Sequence, residues 1–338
     1  MAADDDGLRE SLLPDVNGRR WVFCCHSATL SRRHAPNSLG AVRECIEARV
    51  PRLEVDVRFT TDDAMVCLHD AQLDRLTTGS GAVGLHTAVD LRAVRFRATG
   101  EPLCFLEDVV ELLRSSSTIL QVDLKLSRPI TPARVRRLED ALEPLGERVI
   151  VGSQSPWNLR RLSRVPVAFD PTLFLNYTSA KRQAPYPRQR GLHGFWDDSP
   201  LAQNPHASAE EYLRARIEEL YGLVPAAVEW MVDIGTILRM AELGVRLGDV
   251  LATSEVALAA WTLSERDPLQ STLGRLWEAG TTTVITDVAL AVSELFRTRS
   301  ESVARTAASR TFPHRHPVQM TLPAEPESRE RLSGGLPA

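Results

Sequence analysis

Six ionisable side chains stand at or near the ends of apolar runs in this chain. His26 follows "RWVFCC", Glu54 and Asp56 lie within "RLEVDVRF", His69 follows "AMVCL", and Asp123 and Lys125 lie within "ILQVDLKL". Charged groups in such places are costly unless they are paired or used. Glu54 and Asp56 are two apart, so on a strand they share a face, and so do Asp123 and Lys125. Three carboxylates without cysteine ligands suit one hard, oxygen-seeking cation, Mg²⁺ or Ca²⁺. Two histidines suit proton transfer near neutral pH. A lysine neutralises an anionic oxygen. Together they fit displacement at phosphorus, where the protein mainly positions groups and balances charge.

Such a set needs a scaffold that brings several strand ends together. Strand-like runs alternate with helix-like runs such as "SLGAVRECIEA", "FLEDVVELLRS" and "TPARVRRLEDALEPL" along most of the chain. Thr131-Pro132 opens one helix, and Gly244 and Gly280 close two others. Strands alternating with helices imply parallel pairing. About eight such units predict an α/β fold, a (β/α)8 TIM barrel, whose chemistry gathers at the C-terminal strand ends. "AMVCLHD" follows "RLEVDVRF" after only "TTDD". It therefore reads as a small hairpin inserted after the second strand.

Composition sets the surroundings. The 338 residues are 43% hydrophobic and 25% charged, ordinary for a globular protein. A formal net charge of -4 argues against a nucleic-acid partner. No apolar run reaches bilayer length, so no stable membrane insertion is expected. "MAADDDGLRE" lacks the order of a signal peptide. The five cysteines show no CxxC spacing and read as reduced core thiols of a cytoplasmic protein. Residues 1–19 read as a flexible leader, 20–297 as the barrel domain, and 298–338, rich in Arg, Ser and Pro, as a disordered tail. The "HRH" tract at 314–316 reads as solvated.

The motifs resemble those of the glycerophosphodiester phosphodiesterases, over about residues 20–297. They are His26, "APNSLGA" at 35–41, "EVD" at 54–56, "HDAQLDRLTTGSGAV" at 69–83 and "DLK" at 123–125. Further on, "VGSQSPWNLRRL", "AAWTL" and "WEAGTTTVITD" are similar to later parts of the family pattern. The resemblance implies a TIM barrel cleaving phosphodiesters with a divalent metal. It assigns Glu54, Asp56 and Asp123 to the metal, His26 and His69 to acid/base work, and Lys125 to phosphate or a metal-linked oxygen. Two positions depart from the pattern: Ser27 stands where the family has a phosphate-clamping Arg, and Asp123 where it has Glu. Both departures also occur in spider-venom-type phospholipase D (sphingomyelinase D), which shares the barrel. Two substrate classes follow: small glycerophosphodiesters, or lysolipids. A dead barrel serving as a binding module is the third reading.

Several residues carry secondary expectations. Arg32 or Arg33 would replace the missing clamp. Trp261 would line the pocket. Asp287 would cap the last helix. The long stretch 170–210 would form a lid or head-group pocket using Tyr177, Phe195 and Trp196. His34, His86 and His193 carry no signal.

Overall fold

The computed structural model describes residues 5–16, 18–178 and 189–298. The main sheet has nine strands: β1 (Val22–Cys25), β2 (Arg52–Phe59), β3 (Met65–Cys67), β4 (Ile119–Leu124), β5 (Val149–Ser153), β6 (Val167–Phe169), β7 (Ala227–Asp233), β8 (Ala257–Leu263) and β9 (Thr283–Thr286). All pair in parallel except β3, which runs antiparallel to β2 as the expected hairpin, with Val57 opposite Cys67. β9 pairs with β1, and β1 with β2, so the eight parallel strands close into a barrel.

Helices on the outside bury one face each against the strands. The helix Leu39–Glu47 starts at Ser38, whose side chain accepts from the Ala41 N–H at 3.1 Å. Pro132–Leu142 starts at Thr131 with Pro at its first turn. Gly244 and Gly280 take φ of 87° and 85° at two helix ends, a left-handed turn that glycine makes without strain.

The polarity of β2 is inverted relative to an ordinary half-buried strand. Leu53, Val55 and Val57 join the main core with the helices, while Glu54 and Asp56 belong to the other face, turned to the barrel axis. The axis holds its own small apolar cluster of Cys24, Ile150, Ala168, Met231, Ala259 and Ile285. Gly152 on β5 lies against the Met231 methyl, which would have to shift to admit a Cβ. At its first residue β2 supplies Arg52, which donates to both Glu229 oxygens at 3.0 and 2.6 Å; both side chains are buried. Thr283 Oγ1 adds a hydrogen bond to Glu229 at 3.1 Å.

The expected leader differs in its described part. Asp5–Ser11 is helical, Leu12 is fully buried, and the Ser11 and Ser293 hydroxyls hydrogen-bond at 2.6 Å. The apolar Leu8 and Leu12 provide the contact that the acidic start of the chain obscured. The expected tail lies outside the described residues apart from Thr298. No helix among the described residues is long and apolar enough to cross a membrane.

Candidate active site

His26, Glu54, His69, Asp123, Lys125 and Trp261 line one cavity of 110 Å³ at the C-terminal ends of the barrel strands. Asp56 lies beneath it, fully buried. One oxygen from each of Glu54, Asp56 and Asp123 falls within 4.8 Å of the other two. The strand register explains this: Asp56 of β2 stands beside Asp123 of β4, and Glu54 sits one inward step below Asp56.

Each acid is held differently. Glu54 Oε2 accepts from the Ser27 N–H at 2.7 Å, while Oε1 is buried without a hydrogen-bond partner. Asp56 Oδ2 accepts from Ser27 Oγ at 3.2 Å and Asn37 Nδ2 at 2.8 Å, and Asn37 Oδ1 accepts from the Asp56 N–H. Lys125 Nζ bridges Asp123 Oδ2 at 2.6 Å and Asp56 Oδ1 at 3.1 Å. Burial, then the neighbouring Asp56 charge, pushes the Glu54 carboxyl up to about 8. Asp56 stays below its ordinary value despite burial, because Lys125 and the histidines face it. Burial acts to lower Lys125, but Asp123, Asp56 and Glu54 outweigh it and hold the ammonium well above its usual range. An orphaned buried carboxylate oxygen within an all-oxygen donor set fits a hard divalent cation.

The two histidines share one arrangement. His26 Nδ1 meets Asp287 Oδ1 at 2.7 Å, and His69 Nδ1 meets Asp70 Oδ1 at 3.0 Å. A carboxylate accepts only, so each Nδ1 carries the proton and each Nε2 is left for chemistry. His26 Nε2 lies 3.9 Å from Glu54. Burial acts to lower His26, yet the Asp287 hydrogen bond and the Glu54, Asp287 and Asp56 charges raise it to about 9. Asp70 is held at about 2, chiefly by the Arg75 guanidinium, which donates to both its oxygens.

The long motif after His69 is a support for that histidine. Leu73 and Val83 fill a separate small core with Val66, Leu68 and Phe105. Thr77 is buried, donates to the Leu73 carbonyl at 2.7 Å and accepts from the Gly79 N–H. Gly81 takes a φ of 81°. The spacing of this motif is therefore a packing requirement, with Asp70 and Arg75 aiming the imidazole.

Other expectations come out differently. Arg33 binds Glu44 at 2.7 Å, and Arg32 binds Glu265 and the Asp287 carbonyl. Neither lines the cavity, so the replacement clamp is not in place. Asp287 orients His26, and the helix start after it is tied instead by Thr286 Oγ1, which accepts from the Val288 N–H. In the expected lid, Phe195 is fully buried, with its ring 5.5 Å from Tyr177 and 6.4 Å from Tyr212. Trp196 pairs with Asn176 in a small sheet. None of Tyr177, Phe195 and Trp196 lines the cavity. Residues 179–188 of that stretch lie outside the described residues.

The sequence reading gave no role to Gln154 and Asp170, which line the cavity, or to Asn37, which holds Asp56; it noted Ser27 only as standing in the clamp position, and Ser27 also holds the acids. Gln154 and Asp170 each directly follow a barrel strand. That position is the signal that could have found them.

The sequence profile of the Glycerophosphoryl diester phosphodiesterase family matches residues 29–290. A curated glycerophosphodiester phosphodiesterase of Caldanaerobacter subterraneus is 26% identical over 143 residues, 40% of this chain and 59% of that protein. A probable glycerophosphodiester phosphodiesterase 2 of Mycobacterium tuberculosis is 32% identical over 146 residues, 43% of this chain and 52% of that one. The chain thus spans between half and three fifths of the length of these two relatives. Two solved structures share the fold. A glycerophosphodiester phosphodiesterase of Parabacteroides distasonis has TM-score 0.56 at 16% identity, covering 82% of this chain and 97% of that one. An Oleispira antarctica phosphodiesterase, solved with the product sn-glycerol-3-phosphate, has TM-score 0.53 at 15% identity, covering 84% and 97%. With the family profile running across most of the barrel, the chain belongs to the glycerophosphoryl diester phosphodiesterase family.

Proposed function

We propose that this protein is a metal-dependent phosphoric diester hydrolase that cleaves glycerophosphodiesters to glycerol 3-phosphate and an alcohol. The observation that carries this reading is one cavity collecting three carboxylates, a lysine and two histidines, each histidine with Nδ1 held by its own carboxylate. Glu54, Asp56 and Asp123 would hold one divalent cation, Mg²⁺ or Ca²⁺, which when bound supplies positive charge at the phosphoryl oxygens. Lys125 adds a fixed cation beside it. One histidine Nε2 takes a proton from the attacking oxygen and the other returns one to the leaving oxygen. Trp261 forms a wall for the substrate, while Arg32 and Arg33 have no substrate contact in this reading. Five free, buried cysteines fit a reducing, cytoplasmic setting.

The test is a panel of glycerophosphodiesters, lysophospholipids and a nitrophenyl diester, each with Mg²⁺, Ca²⁺ or Mn²⁺ against EDTA. Turnover of glycerophosphodiesters that stops in EDTA is the expected result. Faster turnover of lysophospholipids would replace the substrate class. His26→Ala and His69→Ala should each lose roughly 10²–10⁴-fold in rate on natural diesters. The nitrophenyl ester, whose leaving group needs no proton, should rescue only the variant lacking the acid. Equal failure of both on that substrate would refute separate roles.

A further inference from the structure

Beside the reaction cavity lies a second one of 230 Å³, lined by Arg58, Ser127, Ser155, Trp157 and Leu173. Asp123, Lys125 and Gln154 line both, so Gln154 stands in the wall between them. Its amide is not free to turn. Asp170, buried at the end of β6, accepts from Gln154 Nε2 at 3.0 Å. The same carboxylate accepts from the Thr172 N–H at 2.8 Å and from the Thr172 hydroxyl. Burial raises Asp170 only to about 6, so at neutral pH it is an anion that can only accept. The Gln154 nitrogen must therefore face Asp170, and its carbonyl oxygen is left as a fixed acceptor.

We propose that Gln154, oriented by Asp170, selects a hydroxyl-bearing substituent of the diester, seated in the second cavity. The proposal rests on the glycerophosphodiester reading above, which puts the phosphoryl group over Asp123 and Lys125. From there one ester arm reaches the second cavity. The charged side chains of that cavity already have hydrogen-bond partners within the protein. Arg58 donates to the carbonyls of His69 and Lys125, and Asp123 is paired with Lys125. Serines, leucines, the Gln154 amide and the Trp157 ring make up the rest of the lining, which suits an uncharged arm carrying hydroxyls rather than an ionic group. A hydroxyl near the ester oxygen would donate to the Gln154 carbonyl. A site built on such an acceptor rejects an analogue lacking the hydroxyl, because the acceptor is then left unpaired. Asp170 is a positioning residue here: it touches Gln154, not the substrate.

The experiment compares glycerophosphoethanolamine with propyl phosphoethanolamine, which lacks the two hydroxyls, and with bis(4-nitrophenyl) phosphate. In Gln154→Leu, kcat/KM for the glycerol diester should fall roughly 10-fold, the worth of one hydrogen bond, with the propyl and nitrophenyl diesters within about twofold. Asp170→Asn should do the same, because its amide nitrogen would repel that of Gln154 and turn it. The double variant should be no worse than either single one. Equal losses on all three diesters would make Gln154 structural and overturn the proposal, as would undiminished preference for the glycerol diester. Should Asp170→Asn fail to fold, the Gln154→Leu comparison decides alone. If the wild type cleaves the nitrophenyl diester but no glycerol diester, the glycerophosphodiester reading itself fails, and this proposal with it.

Discussion

At the scale of single residues, Asp287 and Ser27 carry the most direct tests. Asp287 holds Nδ1 of His26 and raises its pKa, both by the hydrogen bond and by charge. Asp287→Asn should leave the fold intact, lower the rate and move the His26 limb of the pH–rate profile toward acid. A profile of unchanged shape would show that Asp287 does not tune His26. Ser27 is the more instructive case. Its N–H and hydroxyl bind Glu54 and Asp56, in a buried turn with φ of 48°. An Arg placed there keeps the N–H contact to Glu54 but loses the hydroxyl contact to Asp56, and its long side chain overfills the buried turn. Ser27→Arg should therefore lose activity and weaken cation binding, seen by calorimetry. A lower KM with kcat retained would show that the clamp position is open after all.

At the scale of elements, β2 accounts for what sequence reading could and could not reach. Its alternation of Leu53, Val55 and Val57 with Glu54 and Asp56 was legible, as was the hairpin from the four-residue spacer. The helix caps at Thr131 and the closing glycines were legible because they act within one turn. Arg52 was not, because its partner Glu229 is 177 residues away and neither residue type belongs in a core. Barrel closure alone makes them neighbours. Asp287 misled for a related reason: a short acid before a helix suggests a cap, and only the fold shows that His26 competes for it. Trp196 and Phe195 misled because aromatic richness fits a lid and a packed loop equally well. The Arg52–Glu229 pair carries a clear expectation. Glu229→Gln leaves a buried guanidinium without its counter-charge and should destabilise the fold by about 3–5 kcal/mol in denaturant unfolding. Replacing both partners with apolar residues should recover much of that loss, whereas equal destabilisation by the double variant would remove the ion pair as its cause.

At the scale of the whole molecule, a cation held by the acidic cluster would couple its binding to folding. Without a cation, Glu54 is raised to about 8 from 4.5, and His26 to about 9 from 6.5. Both folded values lie above the unfolded ones, so between them the folded state binds more protons and stability falls as pH rises. The Glu54 contribution is complete below 4.5 and gone above about 8; that of His26 is complete below 6.5 and gone above about 9. The metal-free protein should then lose melting temperature steadily across both windows, most steeply where they overlap. A divalent cation needs Glu54 ionised and replaces the proton that kept the cluster neutral. Its binding should tighten as pH climbs toward 8, so the melting temperature gained on adding Mg²⁺ or Ca²⁺ should grow over the same range. Glu54→Gln should flatten the metal-free curve and abolish most of the cation's effect. Thermal unfolding of wild type and variant, in EDTA and in excess cation, reads both quantities. A metal-free protein that grows more stable from neutral pH toward 9 would overturn the coupling, and a cation shift retained in Glu54→Gln would take that residue out of the ligand set.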